Sequence, residues 1–279
     1  MPALDYRNQT ILITGASSGI GASFARALAG RGSNLVLVAR RRDRLEALAA
    51  ELEQAHAVRV IAITHDLGSG SAGAFLSSAV ATAGVRVTGV INNAGFGTYG
   101  DFVQEDPDRL AEEVAVDVMA PVQISSAFLP GMVHDGEGFL INVASMAGYT
   151  PTPRMAVYGA AKAFVLSFTE SLWAETRASG VTVFALSPGA TSTEFNSVVG
   201  TEDATAGARM RTADDVVATA LAHLERPNPG PSVIDGSANR LSAAIGRVIS
   251  RRRTTMMMHW LTDPARRNRS AAPTATSRP

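Results

Sequence analysis

The sequence predicts a doubly wound α/β domain with a mostly parallel seven-stranded sheet and helices on both faces. Three observations predict it. Short apolar runs alternate with longer helix-like stretches along most of the chain. The runs are continuously apolar rather than alternating, as expected of strands covered on both faces. A glycine-rich turn joins the first run to the first helical stretch.

The elements follow in order. Residues 10–14 (TILIT) read as the first strand, residues 15–21 as the glycine turn, and 22–29 as an Ala-rich helix closed by Gly30 and Gly32. Residues 34–39 (NLVLVA) are the second strand, and 40–53 a charged, Leu- and Ala-rich helix. A third strand over 58–63 precedes Asp66 and Leu67, and a helix over 71–82 leads to a fourth strand at 87–91. Pro107 starts a long helical region that reaches about Met132, followed by the fifth strand at 139–143. Residues 155–178 form a long helix whose stripe of Phe164, Phe168, Leu172 and Trp173 reads as core. The sixth strand is 181–186. A helix over 216–224 and a short last strand at 231–234 close the pattern. Residues 191–211 are polar, without a firm period, and follow a strand end, where lids over active sites lie.

Composition bounds the reading. The chain has 279 residues, 46% hydrophobic and 18% charged, which suits one large domain over 1–250. Cys is absent, which excludes a disulfide framework, a thiolate nucleophile and a cysteine metal site. The five His form no ligand cluster, so no metal is expected. The first ten residues are polar, without the pattern of a secretory signal, and no run of 18 or more apolar residues occurs. A cytoplasmic location without a membrane span is the expectation.

Charge is zero overall but uneven. From Arg240 onward there are nine Arg and a single acid, Asp263. Residues 251–279 therefore read as a basic tail, solvated and partly disordered. Contact with nucleic acid or an anionic membrane is the rival reading, and the MMMHWL stretch at 256–261 would be its interfacial part. The chain also has 24 Arg against one Lys, Lys162. That exception marks a place where a compact ammonium is wanted and a guanidinium would not serve.

Gly15, Gly19 and Gly21 are spaced so that backbone N–H groups can approach a pyrophosphate at a helix amino end. A P-loop is excluded because no Lys follows them. At the end of the second strand, a ribose 2′-hydroxyl needs an acid and a 2′-phosphate needs positive charge. The chain reads Ala39-Arg40-Arg41-Arg42 there, which favours NADP(H) over NAD(H).

These residues carry a resemblance. Thr14 to Gly21, Asp66-Leu67, Asn92 to Gly95, Ser145, Tyr158 to Lys162 and Pro188-Gly189, in this order and spacing, resemble the short-chain dehydrogenase/reductase family from about Gln9 to Gly236. The resemblance implies a Rossmann fold and a nicotinamide cofactor held by Gly15, Ser17, Ser18, Gly19, Ile20 and Gly21. It places Asp66 and Leu67 by the adenine, and Asn93, Ala94 and Gly95 by the adenosine ribose. Pro188, Gly189, Thr191 and Thr193 would surround the nicotinamide, with Tyr158 and Lys162 beside it. Arg40 and Arg41 match positions that hold a 2′-phosphate. The resemblance also implies homodimers or homotetramers formed through the two long helices. One departure stands out: where the family carries an Asn that bends a helix and holds a water linked to the Lys, this chain has Asp117.

The residue types supply a mechanism. Tyr158 and Lys162 are one helical turn apart and share a face. Ser145 follows a strand end, beside the same crevice. A free phenol has a pKa of about 10, and a nearby ammonium favours the phenolate. Ser145 would bind a substrate carbonyl, Tyr158 would exchange its proton, and Lys162 would tune Tyr158, with Asp117 a fourth member of the catalytic set. Phe96, Tyr99, Met146, Tyr149 and Phe195 lie in loops near the crevice and predict a small, mainly apolar carbonyl or secondary alcohol; Arg154 is the one candidate anion clamp. The rival readings are a non-catalytic NADP(H)-binding protein, which Asp117 favours, a tail-mediated adaptor, and a dehydratase or epimerase.

Overall fold

The computed structural model describes residues 5–7, 9–195, 199 and 210–263. Seven parallel strands form one sheet in the order β3-β2-β1-β4-β5-β6-β9. They are β1 (Thr10–Thr14), β2 (Asn34–Ala39), β3 (Val60–Thr64), β4 (Gly89–Asn92), β5 (Phe139–Val143), β6 (Thr182–Ser187) and β9 (Ser232–Ile234). A separate pair, β7 (Thr191–Ser192) and β8 (Arg211–Thr212), lies beyond the carboxyl end of β6. The order reverses between β1 and β4, and this switch point opens a crevice at the carboxyl ends of both strands.

Every side chain of β1 and of β5 is buried, because helices cover both faces of the sheet. On one face Ile11, Ile13, Leu35, Leu37 and Phe184 pack with Phe24 and Leu28 of α1 (Gly19–Ala29), Leu45 and Leu52 of α2 (Arg42–His56), and Val217 and Leu221 of α7 (Ala213–Leu224). On the other, Leu12, Val36, Val90 and Leu140 pack with Leu76 of α3 (Ala72–Thr82) and Ile124 and Met132 of α5 (Ala120–Asp135). α6 (Ala156–Thr176) adds Leu172 and Trp173 to this second cluster.

Between α4 (Pro107–Val114) and α5 the helix widens into a π turn over Ala115–Met119. Pro121 explains it: without an N–H it cannot donate to the carbonyl four residues back, that of Asp117. The continuous helix over 107–135 has the length and composition of a membrane span, where the sequence reading expects none. Its Ala120, Ile124, Leu129 and Met132 are buried against the sheet, so one face of it belongs to the core.

Two expectations need correction. The α6 stripe is not uniformly core: Phe164 is 40% exposed and stacks on Phe168 at 5.7 Å between ring centroids. Residues 237–248, to which the sequence reading assigns no element, form α8 (Ser237–Val248), and the basic tail read from 251 onward opens with a helix, α9 (Arg251–Leu261). Residues 264–279 of the expected tail, and most of the expected lid between 196 and 209, lie outside the described residues.

Candidate active site

A cavity of about 710 Å³ runs along the carboxyl ends of the strands. At one end lies the turn between β1 and α1. Gly15 and Gly19 have φ of +65° and +54°, in the region that favours glycine. A Cβ at Gly21 would meet Gly15 O at 2.4 Å, so the helix can pack on its own turn only with glycine there. Ser18 begins α1 without a side-chain cap, leaving the first N–H groups of the helix to another acceptor. Gly15, Ser17, Ser18, Gly19 and Ile20 line the cavity, while Gly21 sits behind them.

Basic groups gather beside this turn. Arg41 donates to Ser17 Oγ at 2.9 Å, to Ser18 Oγ at 2.8 Å and to Glu194 at 2.7 Å. Arg44 meets the other oxygen of Glu194 at 2.5 Å, and the Arg44 and Arg41 guanidiniums hold the Glu194 carboxyl at about 2. Arg40 pairs with Glu112 at 3.0 Å. Sequence reasoning names Arg40 and Arg41 but misses Arg44 and Glu194, because Glu194 is 150 residues away from Arg44 in the chain.

The middle of the cavity is lined by Asp66, Leu67, Asn93, Ala94 and Gly95. Asp66 accepts from Gly68 N at 3.0 Å and shapes its own loop. Asn93 donates to Thr14 O at 2.9 Å, which ties β4 to β1 at the switch point. His65, absent from the sequence reading, also lines this part and stacks on Phe75 at 4.0 Å. Pro188, Gly189, Thr191 and Thr193 line the far side. Thr193 accepts from Phe195 N at 3.2 Å, and Thr191 donates to Gly189 O at 3.0 Å.

Ser145, Tyr158 and Lys162 all reach the cavity wall. Ser145 Oγ accepts from Ala147 N at 3.1 Å, which leaves its hydroxyl proton for another partner. Lys162 lies under the Tyr158 ring, its Nζ 5.5 Å from the centroid. The ammonium donates to Val143 O at 3.3 Å and pairs with Asp117 Oδ2 at 3.0 Å. Asp117 is fully buried in the π turn, and its Oδ1 accepts from Phe96 N at 3.0 Å. It does not line the cavity; it reaches it only through Lys162. Burial works against the Lys162 charge, but Asp117 and Tyr158 outweigh it and raise the lysine.

The tyrosine departs from expectation. Burial raises the Tyr158 phenol; Lys162 opposes that, Asp117 adds to it, Ser145 lowers it by hydrogen bonding, and Glu113 raises it further. The net direction is upward because burial outweighs the Lys162 ammonium, part of whose effect Asp117 also cancels.

Phe96, Met146, Tyr149 and Phe195 line the same cavity, and Phe195 lies 5.3 Å from the Tyr158 ring. Tyr99 and Arg154 do not. Tyr99 Oη donates to Thr262 O at 2.7 Å. Arg154 donates to His259 O at 3.3 Å and to Thr262 Oγ1 at 3.2 Å, so it is a tether for the carboxyl end of α9 rather than an anion clamp. This tether lays Met257, Met258 and Leu261 along the cavity, beside Ile245 and Ile249. Among the described residues no group of His, Asp and Glu has the arrangement of a metal site.

The family model for short chain dehydrogenase matches residues 9–204. The chain belongs to this family. Short-chain dehydrogenases are nicotinamide-dependent oxidoreductases. The chain is 37% identical over 215 residues to a sulfoacetaldehyde reductase of Chromohalobacter salexigens, covering 74% of this chain and 84% of that protein. It is 34% identical over 174 residues to a very-long-chain 3-oxoacyl-CoA reductase of Laccaria bicolor, covering 62% of this chain. The match spans about half, 52%, of that relative's length. Among solved structures it is similar to a short-chain dehydrogenase from Sphingobium yanoikuyae in complex with NADPH, with a TM-score of 0.77 and 36% identity. That match covers 86% of this chain and 93% of the solved chain. A 7beta-hydroxysteroid dehydrogenase gives a TM-score of 0.82 at 25% identity, with 93% and 100% covered.

Proposed function

We propose that the protein is an NADP(H)-dependent oxidoreductase that interconverts a small, mainly apolar ketone and its secondary alcohol. The observation that carries this reading is the meeting of Ser145, Tyr158 and Lys162 in the wall of the cavity that begins at the glycine turn. The cofactor fits the residues present. The uncapped start of α1 offers N–H groups to a pyrophosphate, and Arg40, Arg41 and Arg44 offer charge to a 2′-phosphate. Bound there, the nicotinamide supplies or accepts the hydride.

The chain's own residues handle the proton. Ser145 turns its hydroxyl proton to the carbonyl oxygen and holds it in reach of Tyr158. Tyr158 gives its phenolic proton to that oxygen as negative charge develops on it, and takes it back in the oxidative direction. Lys162 supports the phenolate that remains. Its placement depends on Asp117 and Val143 O, which hold the ammonium on two sides. Met146, Tyr149, Phe195 and Met258 offer an apolar lining and exclude water from the reacting oxygen. A homodimer or homotetramer built on α4–α5 and α6 agrees with the exposure of Val114, Met119 and Phe164.

The test is a spectrophotometric screen of ketones and secondary alcohols with NADPH and NADH, with Tyr158→Phe alongside. Turnover by the native chain, faster with NADPH and lost in Tyr158→Phe, is expected. NADPH binding without turnover on any substrate would favour a sensing or structural role instead.

A further inference from the structure

Behind the cavity wall, one helical turn from Asp117, lies one more ionisable group than this mechanism uses. Glu113 lies in the last turn of α4, four residues before Asp117, and is 0% exposed. Its Oε2 accepts from Thr98 Oγ1 at 2.9 Å, and its Oε1 has no hydrogen-bond partner among the described residues. Thr98 comes from the preceding loop, Asp117 follows one turn later in the π turn, and α4 packs on α6, which carries Tyr158 and Lys162. The charges of Glu105 and Asp117 act on Glu113, and its own charge acts on Tyr158 and Lys162. The nearby cations are committed elsewhere: Lys162 to Asp117, and Arg109, one turn earlier on α4, to Glu112 and the face of Phe96. A carboxyl so placed is costly to ionise.

We propose that Glu113 is a positioning residue of the active site: a sealed carboxyl, one turn from Asp117, whose charge sets the field in which Tyr158 holds and releases its proton. The proposal rests on the Tyr158–Lys162 reading above. Burial pushes the Glu113 carboxyl up to about 7; the Thr98 hydroxyl opposes this and Asp117 adds to it. Its ionisation therefore falls near neutrality. The sign follows from charge. While Glu113 is neutral, Asp117 alone offsets Lys162. Once Glu113 ionises, a second negative charge raises Tyr158.

Two variants test this. Glu113→Gln keeps the acceptor for Thr98 and removes the charge; Glu113→Met removes both. The readout is ultraviolet titration of the Tyr158 phenolate, taken as the difference between each protein and the same protein carrying Tyr158→Phe. It needs no substrate, so it stands even if the screen finds no turnover. Both variants should lower the phenolate midpoint by about one pH unit, the scale of one buried charge at an effective dielectric constant near 20. Glu113→Asp, which keeps the charge, should stay close to wild type. In the active enzyme, the rise of oxidative kcat/KM with pH should move down by the same amount, with KM for the cofactor unchanged. Midpoints in Glu113→Gln and Glu113→Met that match wild type would overturn the proposal and leave Glu113 as a fastener for the Thr98 loop. If Glu113→Gln does not fold, Glu113→Met decides by the same titration.

Discussion

Lys162 Nζ sits 3.0 Å from Asp117 Oδ2, with side chains 6% and 0% exposed. The carboxylate that steadies this lysine also cancels part of its effect on Tyr158. Asp117→Asn separates the two roles. The amide oxygen can still accept from Phe96 N, but the counter-charge is gone. We expect the basic limb of the oxidative pH profile to move down by about one pH unit. Activity near neutrality should rise if the lysine keeps its place. An unchanged profile would assign the role of this position to the π-turn backbone.

Lys162→Arg should cost about a hundredfold in kcat/KM, although the charge is kept. The space is the reason. A Cβ at Gly95 would already lie 2.9 Å from both Lys162 Nζ and Asp117 Oδ1. A planar guanidinium is wider than an ammonium and would have to displace Asp117 or Tyr158. Retention of half the wild-type kcat/KM would refute this account.

The sheet was legible in the sequence because its strands are uninterrupted apolar runs, and β1, β2 and β5 occupy the stretches 10–14, 34–39 and 139–143 read from them. The cavity residues were legible where local chemistry marks them: glycines in a turn, a Tyr and a unique Lys one turn apart. What was hidden depends on long-range contact. Glu194 reaches Arg41 across 153 residues, and α9 lies on the cavity through side chains of Tyr99 and Arg154. Glu113 looks like one more surface acid on a charged helix start. Only the packing of α4 against α6 shows that it is sealed. The upward shift of Tyr158 was likewise invisible, since it comes from burial.

Replacing both Arg40 and Arg41 with Ala should raise KM for NADPH at least about tenfold and leave KM for NADH nearly unchanged. The scale is that of charge-assisted hydrogen bonds worth roughly 1.5–3 kcal/mol. Glu194→Gln should act in the opposite direction. It removes a negative charge that already occupies Arg41 and Arg44, so KM for NADPH should fall. Steady-state kinetics with both cofactors checks both signs; equal effects on NADPH and NADH would contradict the assignment.

Glu113 also predicts how stability depends on pH. Its carboxyl ionises at about 7 in the folded chain against an ordinary value of 4.5. A group raised on folding contributes stability that is fully present below 4.5 and is lost as pH rises through 7. Glu113→Gln has no such loss. Between pH 5 and 8 the wild-type Tm should therefore fall by about 5 °C more than that of the variant. Parallel Tm curves from scanning calorimetry would show that Glu113 is not held neutral.

The tether of α9 yields a prediction about substrate size. Met257, Met258 and Leu261 line the cavity, and the carboxyl end of the helix is held by Tyr99 Oη on Thr262 O and by Arg154 on Thr262 Oγ1 and His259 O. Neither Tyr99 nor Arg154 lines the cavity, so loosening the tether should leave the chemistry at Tyr158 intact. Each hydrogen bond contributes about 0.5–1.5 kcal/mol net. Tyr99→Phe removes one of them without changing the ring. For a bulky apolar ketone that touches the methionines, KM should rise by about three- to tenfold with kcat nearly constant. For a ketone too small to reach α9, both constants should stay at wild-type values. Adding Arg154→Ala should deepen the first effect and not create the second. Equal losses on large and small ketones would mean that the tether supports the whole site, and a fall in kcat alone would mean that α9 bears on the proton transfer itself.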